Sequence, residues 1–163
     1  MGKFTIREIA KLGVFIALTT VMTTIMIPAF SGHGYLNLGD MVIFLAAMMM
    51  GKKGGLIVGG IGSALADIIL GYSFYAPITL VVKGLEGFVA GGLLGTKLGK
   101  KIPLIPTIIG AIVMAAGYYI AEIFLYGAEP ALVAIPGNLL QGLVGAVTAS
   151  LLYTGIRKTQ DIK

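Results

Sequence analysis

The sequence predicts an all-α, polytopic membrane protein with six transmembrane helices, a short second helix and both termini in the cytoplasm. Three observations carry this. Of 163 residues, 57% are hydrophobic and 12% charged. The apolar residues form six runs that are apolar all round, where a helix of a soluble domain would show a stripe. Finally, every Lys and Arg except Lys83 falls where one side of a membrane would see it. With the N-terminus inside, Lys3, Arg7 and Lys11 are cytoplasmic, as are Lys52 and Lys53 after run two. Lys97, Lys100 and Lys101 after run four, and Arg157, Lys158 and Lys163 after run six, join them. The opposite joints, near 31–39, 71–76 and 126–134, carry no Lys or Arg, which is the positive-inside rule.

Run one extends from Ile6 to Ile27 and ends at Pro28. Its basic flank, apolar centre and cleavage-like Ala29 and Ser31 are those of a signal peptide, but the centre is long for one, and a retained helix is expected. Run two, Met41–Met50, would rise only about 15 Å against a hydrocarbon thickness of about 30 Å. Leaving it out would move every later cationic joint outside, so it counts as a crossing, completed by part of the Tyr35–Asp40 loop. Asp40 is expected to cap it, its carboxylate accepting from free backbone N–H groups. Runs three to six cover Gly54–Leu70, Pro77–Leu98, Ile105–Leu125 and Leu132–Ile156. Pro77 suits a first helical turn, and Pro103 and Pro106 flank the start of run five. The joints are short, so residues 1–163 are expected to form one domain without linkers.

The 25 glycines are informative by spacing. Gly87, Gly91, Gly95 and Gly99 recur every fourth residue and predict a smooth ridge on run four; Gly55, Gly59 and Ser63 do so on run three, and Gly145 and Ala149 on run six. Small residues at this spacing let helix backbones approach closely in lipid, so internal packing explains most of them. Gly13 and Ala17, on otherwise bulky run one, are placed to receive an external helix.

Polar residues within the spans cluster in the outer half. Asp67 ends run three, Lys83 and Glu86 start run four, Tyr118, Tyr119 and Glu122 end run five, and Asn138 and Gln141 start run six. The outer loops add His33, Tyr35, Asn37, Tyr72 and Tyr75. The inner half is almost wholly apolar, so the pattern describes a cup open outward and closed below. Each part also has a plainer reading: Lys83 and Glu86 can neutralise each other, and the tyrosines can be an interfacial belt. Their arrival from consecutive helices at one depth favours a binding site.

Chemistry is narrowed by what is missing. The chain has no Cys and one His, which excludes disulfides, thiolate metal sites and His-rich metal sites, and leaves no supportable nucleophile–base pair. No cofactor or enzyme activity is expected. No GxxxxGK[ST] stretch exists for ATP hydrolysis. The net charge of +5 sits in juxtamembrane clusters, which suits the lipid bilayer surface and not nucleic acid. Asp40, Asp67, Glu86, Glu122 and Glu129 in the outer half outnumber Lys83, an unfavourable field for an anionic vitamin such as folate, biotin or pantothenate. A cup without an energy source suggests a binding subunit that borrows a motor. A structural membrane protein or a stand-alone carrier remains the alternative.

The stretch Leu38-Gly39-Asp40, the segment 45–51, Gly54-Gly55 and Ala66-Asp67 resemble the "LGD…LxGxxxG…GxxxG…SDxL" pattern of the substrate-binding S components of energy-coupling factor (ECF) vitamin transporters. Residues 83–87 and 138–142 look typical of the same family. The family's Ala-x-x-x-Ala docking motif appears as Gly13-x-x-x-Ala17, a looser match. The resemblance covers the whole chain. It implies a vitamin site beneath the outer loops, a transmembrane T component docked on Gly13 and Ala17, two cytoplasmic ATPases, and toppling of the S component to release its cargo inside. Site candidates are His33, Tyr35, Asn37, Tyr72, Tyr75, Lys83, Glu86, Tyr118, Glu122, Asn138 and Gln141. A hydroxymethylpyrimidine or pyridoxine-like heterocycle is the first expectation, and another B vitamin such as riboflavin or thiamin the alternative.

Overall fold

The computed structural model describes residues 5–28 and 35–161. Helix α1 (Ile6–Thr24) starts at a capping box, in which the Thr5 backbone N–H donates to Glu8 Oε2 at 2.8 Å and the Glu8 N–H to Thr5 Oγ1 at 3.3 Å. Strand β1 (Ile27–Pro28) pairs antiparallel with β2 (Tyr35–Leu36), Ile27 opposite Leu36. Then come α2 (Gly39–Ile69), α3 (Ala76–Leu94), the short α4 (Lys97–Lys101), α5 (Leu104–Tyr126) and α6 (Ala128–Asp161). The result is an all-α bundle of six helices with one small strand pair. Four of the helices, α2, α3, α5 and α6, are long and apolar enough to cross a membrane.

Runs two and three are joined in one helix that breaks at Gly51, where φ is 70° and ψ −167°. Such a conformation favours glycine, which has no Cβ to clash. The two limbs, 39–50 and 52–69, fold back on each other. A Cβ on Gly55 would meet the Ala47 Cβ at 3.0 Å, and one on Gly59 the Ile43 Cγ2 at 3.1 Å. In a straight helix Ile43 and Gly59 would stand about 24 Å apart. The short first limb is the short second helix that the sequence predicts.

Glycine contacts also set the direction of the remaining strokes. A Cβ on Gly62 would press on Thr19 at 2.7 Å and one on Gly39 on Asn37 and Thr23, so α1 runs beside both limbs. The Thr20 hydroxyl ties this contact by donating to Gly62 O at 2.9 Å. Along α3, Gly87 touches Gly55 and Gly91 touches Lys52, an antiparallel crossing with the second limb. On α5, Gly110 faces Glu86 and Ala90 while Gly117 faces Val82; on α6, Gly142 faces Ala111 and Gly145 faces Asp40. The chain therefore goes up and down in alternation. Gly51, Gly95, Lys100 and Arg157 come together at one end around a cavity of about 220 Å³. Between the ends, Phe44, Ala47, Ala90, Ala111, Ala146 and Ala149 form the apolar core.

Several expectations need correction. Run one ends at Thr24 and run four at Leu94, while run six is extended to 128–161. Gly95 is the C-cap of α3, and Gly99 lies on α4, a helix not foreseen, so the ridge comprises Gly87 and Gly91 only. Asp40 is not a cap. Leu38 holds that position with no side-chain bond, and the Asp40 carboxylate is committed elsewhere.

Candidate functional site

At the end opposite Gly51, the helices part around a cavity of about 560 Å³. Thr23 comes from α1, Ser63 and Asp67 from the second limb of α2, Thr79 and Lys83 from α3, Tyr118 and Glu122 from α5, and Asn138 and Gln141 from α6. Asn37, Tyr72, Phe74 and Tyr75 from the loops complete the polar and aromatic wall. The depth of this polar layer follows from helix direction: each contributing side chain lies within a few turns of the end where its helix meets the 35–38 or 71–75 loop, or the α5–α6 joint.

The floor is a buried charge network. Lys83 makes an ion pair with Asp40 on the first limb of α2 and reaches Glu86 Oε2 at 3.3 Å. The Gln141 amide donates to Asp40 Oδ2 at 3.1 Å, and its oxygen accepts from the Asn37 side chain at 3.0 Å and from the Asn37 backbone N–H at 3.3 Å. Asn37 Oδ1 in turn accepts from the Gly39 N–H at 3.0 Å. Four segments are thus pinned by one polar relay. Removing a partner from such a buried pair would leave a charge without compensation, which is strongly destabilising.

The walls are aromatic. The Tyr75 and Tyr118 rings stack with centroids 6.2 Å apart and planes at 27°, and Lys83 Nζ lies 5.9 Å from the Tyr118 centroid. A ring inserted between two faces needs them roughly 7 Å apart. The gap between the two rings is therefore too narrow to admit a third ring, and only their outer faces are open to stacking. The Tyr75 hydroxyl donates to Glu122 Oε1 at 3.0 Å and that of Tyr118 to Thr79 Oγ1 at 3.2 Å. Burial, and next the neighbouring Glu122 carboxylate, push the Tyr75 hydroxyl above the usual phenol range, so it stays a donor at neutral pH.

Of the residues expected at the site, Asn37, Tyr72, Tyr75, Lys83, Tyr118, Glu122, Asn138 and Gln141 line this cavity together. Glu86 does not; it is fully buried behind Lys83. His33 lies outside the described residues, and of Tyr35 only the backbone is described. The sequence reading left out Thr23, Ser63, Thr79 and Phe74 as lining residues; it placed Asp67 in the outer polar layer without naming it a site residue, and it counted Asp40 as a cap and in the overall field. Ser63 and Asp67 share one face of a helix at four-residue spacing, a signal that the glycine pattern masked. Gly13 and Ala17 are exposed on α1, and nothing lies within 4 Å of a Cβ built at Gly13.

Residues 3–158 match the family of the ECF-type riboflavin transporter, S component. The chain belongs to this family. It is 30% identical over 162 residues to the thiamine precursor transporter HmpT of Lactococcus lactis subsp. cremoris, covering 98% of this chain and 93% of that protein. It is 41% identical over 133 residues to an uncharacterized protein (gap 3' region) of Pyrococcus woesei, covering 81% and 87%. A shorter match, 34% over 89 residues, links it to a UPF0397 protein of Streptococcus pneumoniae, covering 55% and 48%. The chain is accordingly a non-catalytic, multi-pass subunit of the prokaryotic cell membrane that serves vitamin uptake. S components of this family work with a T component and two ATPase subunits. The family's description names riboflavin, and that of the Lactococcus relative a thiamine precursor.

Proposed function

We propose that the 560 Å³ cavity is the vitamin site, that it opens to the cell exterior, and that it takes a neutral or cationic nitrogen heterocycle of the thiamin class. The observation that supports this most is the composition of the lining. Asp67 and Glu122 face the cavity, whereas the charge of Lys83, its one cation among the described residues, is already matched by Asp40 and Glu86. An anionic vitamin would find no uncompensated positive charge among the described residues. The tyrosine pair offers a flat face with cation–π attraction for a charged ring, and Asn138 and Glu122 offer hydrogen-bond partners. Riboflavin is the second reading, favoured by the cavity volume, which exceeds the needs of a single small ring, and by the family match.

The same proposal includes six crossings with both termini cytoplasmic, the T component docked on Gly13 and Ala17, and ATP hydrolysis by the two partner ATPases. It is supported by the alternation of helix direction and by the basic residues gathered at the Gly51 end. Two measurements test it together. Cysteines introduced singly at Lys53 and Ser73 should label from opposite sides of the membrane; labelling of both from outside would overturn the orientation. Purified protein should gain thermal stability from thiamin or riboflavin and none from biotin, folate or pantothenate. Stabilisation by an anionic vitamin alone would overturn the ligand class.

A further inference from the structure

The cavity wall formed by α1 and the second limb of α2 carries three polar side chains that the relay around Lys83 does not use. Asp67 is 8% exposed, Thr23 7% and Ser63 1%, and all three line the cavity. Among the described residues, Asp67 Oδ2, Thr23 Oγ1 and Ser63 Oγ have no hydrogen-bond partner. Nor does Asp67 have a cation within ion-pair distance among them, since Lys83 pairs with Asp40 and Glu86. Leaving a buried carboxylate oxygen without a donor is costly. The group sits on α1 and the second limb of α2, whereas Glu122 comes from α5 and Asn138 from α6.

We propose that Asp67, flanked by Ser63 and Thr23, is the acceptor wall of the site and takes the N–H donor edge of the vitamin's heterocycle. The exocyclic amine of an aminopyrimidine or the imide N–H of an isoalloxazine would supply that donor, while the ring stacks on the outer face of the Tyr75–Tyr118 pair. This inference rests on the heterocycle reading above and assigns the residues that read the ring's edge. Ser63 continues one helix face from Asp67, so the two act on the same side of the ligand. Thr79 accepts from Tyr118 and keeps its own hydroxyl proton for Asp67, yet Asp67 Oδ2 is still without a donor among the described residues.

The test measures affinity for two matched pairs: thiamin with 4-desaminothiamin, and riboflavin with 3-methylriboflavin. Whichever parent binds the wild-type protein should be preferred over its partner by about tenfold to hundredfold, the loss of one buried hydrogen bond. In Asp67→Ala and Ser63→Ala that preference should fall below about threefold for Asp67 and weaken for Ser63, while affinity for the donor-less analogue stays unchanged. Asn138→Ala should lower affinity for both members equally. A preference that survives Asp67→Ala, or an equal loss for both members of the pair, would overturn the assignment while leaving the ligand class standing. If neither parent binds the wild-type protein, the ligand class fails and this assignment with it. Melting temperatures without ligand separate misfolded variants, and for these Asp67→Asn, with one acceptor oxygen kept, should retain the preference in part; complete loss of it there would also count against the proposal.

Discussion

The two ends of the bundle solve opposite problems with the same helices. From Gly51 to Gly59, the second limb of α2 and α3 touch backbone to backbone, with Gly55 on Gly87, Gly59 on Lys83 and Lys52 on Gly91. Past Lys83 the same two helices carry Ser63, Asp67 and Thr79, and a cavity of about 560 Å³ opens between them and α5 and α6. The closed end is held by close approach of backbones, which in lipid replaces the hydrophobic effect as a source of cohesion. The open end is held by a charge network and paired aromatics, which need side-chain volume and therefore space. Glycine spacing thus tells where the protein is sealed, and its interruption tells where it can receive a ligand.

The comparison can be broken first at the sealed end. Gly87→Leu places a side chain against the Gly55 carbonyl, where even the Cβ would stand 2.9 Å from the Gly55 Cα. Overpacking of this kind costs about 3 kcal/mol or more, and size-exclusion chromatography in detergent should show loss of the monodisperse protein. Gly92→Leu, with nothing within 4 Å of its Cβ, should be tolerated. Equal behaviour of the two variants would show that backbone contact does not hold this end.

A smaller effect is expected at the open end. Glu122→Ala and Asn138→Ala each remove one polar partner from the cavity lining, and ligand affinity should fall about tenfold to hundredfold. Calorimetric titration measures this, and the melting temperature without ligand should move little, since neither residue belongs to the relay around Lys83. A melting temperature that falls as far as for Gly87→Leu would mean that the open end is structural.

The smallest effect on the isolated subunit is expected on α1. Ala17→Leu enlarges a side chain on an exposed face shared with Val14, Leu18 and Val21. Vitamin binding should be unchanged, whereas uptake by cells that carry the partner subunits should stop. Equal loss of binding would make this face internal packing.

Much of this architecture was legible because its signals are one-dimensional. Apolar runs gave the helices, and small residues at four-residue spacing gave faces of α2, α3 and α6 that pack. The break at Gly51 was legible only as a gap between runs, because a lone glycine does not announce a positive φ. The extension of the ridge to Gly95 and Gly99 failed because spacing continues in the sequence where the helix has ended. At the site, the depth of each polar residue could be read from its place along a run. Its partner could not: Asp40 looks like a cap from its position before an apolar run, and only the fold-back of α2 beside α6 brings it to Lys83 and Gln141. Thr23 and Thr79 gave no signal, since small hydroxylated residues are as common in helix packing as in binding sites, and the spacing of Ser63 from Asp67 was hidden by the glycines around it.

One consequence of that relay concerns Gln141. Its amide and its oxygen already serve Asp40 and Asn37, so a ligand that reached for it would compete with partners held in place and would gain only the difference. Gln141 is then a girder more than a reader: it joins the segment before α2 to α6 and sets the distance between the cavity's two sides. In the site proposed above, the ligand's width would then be limited by a frame whose α6 side is tied to the segment before α2.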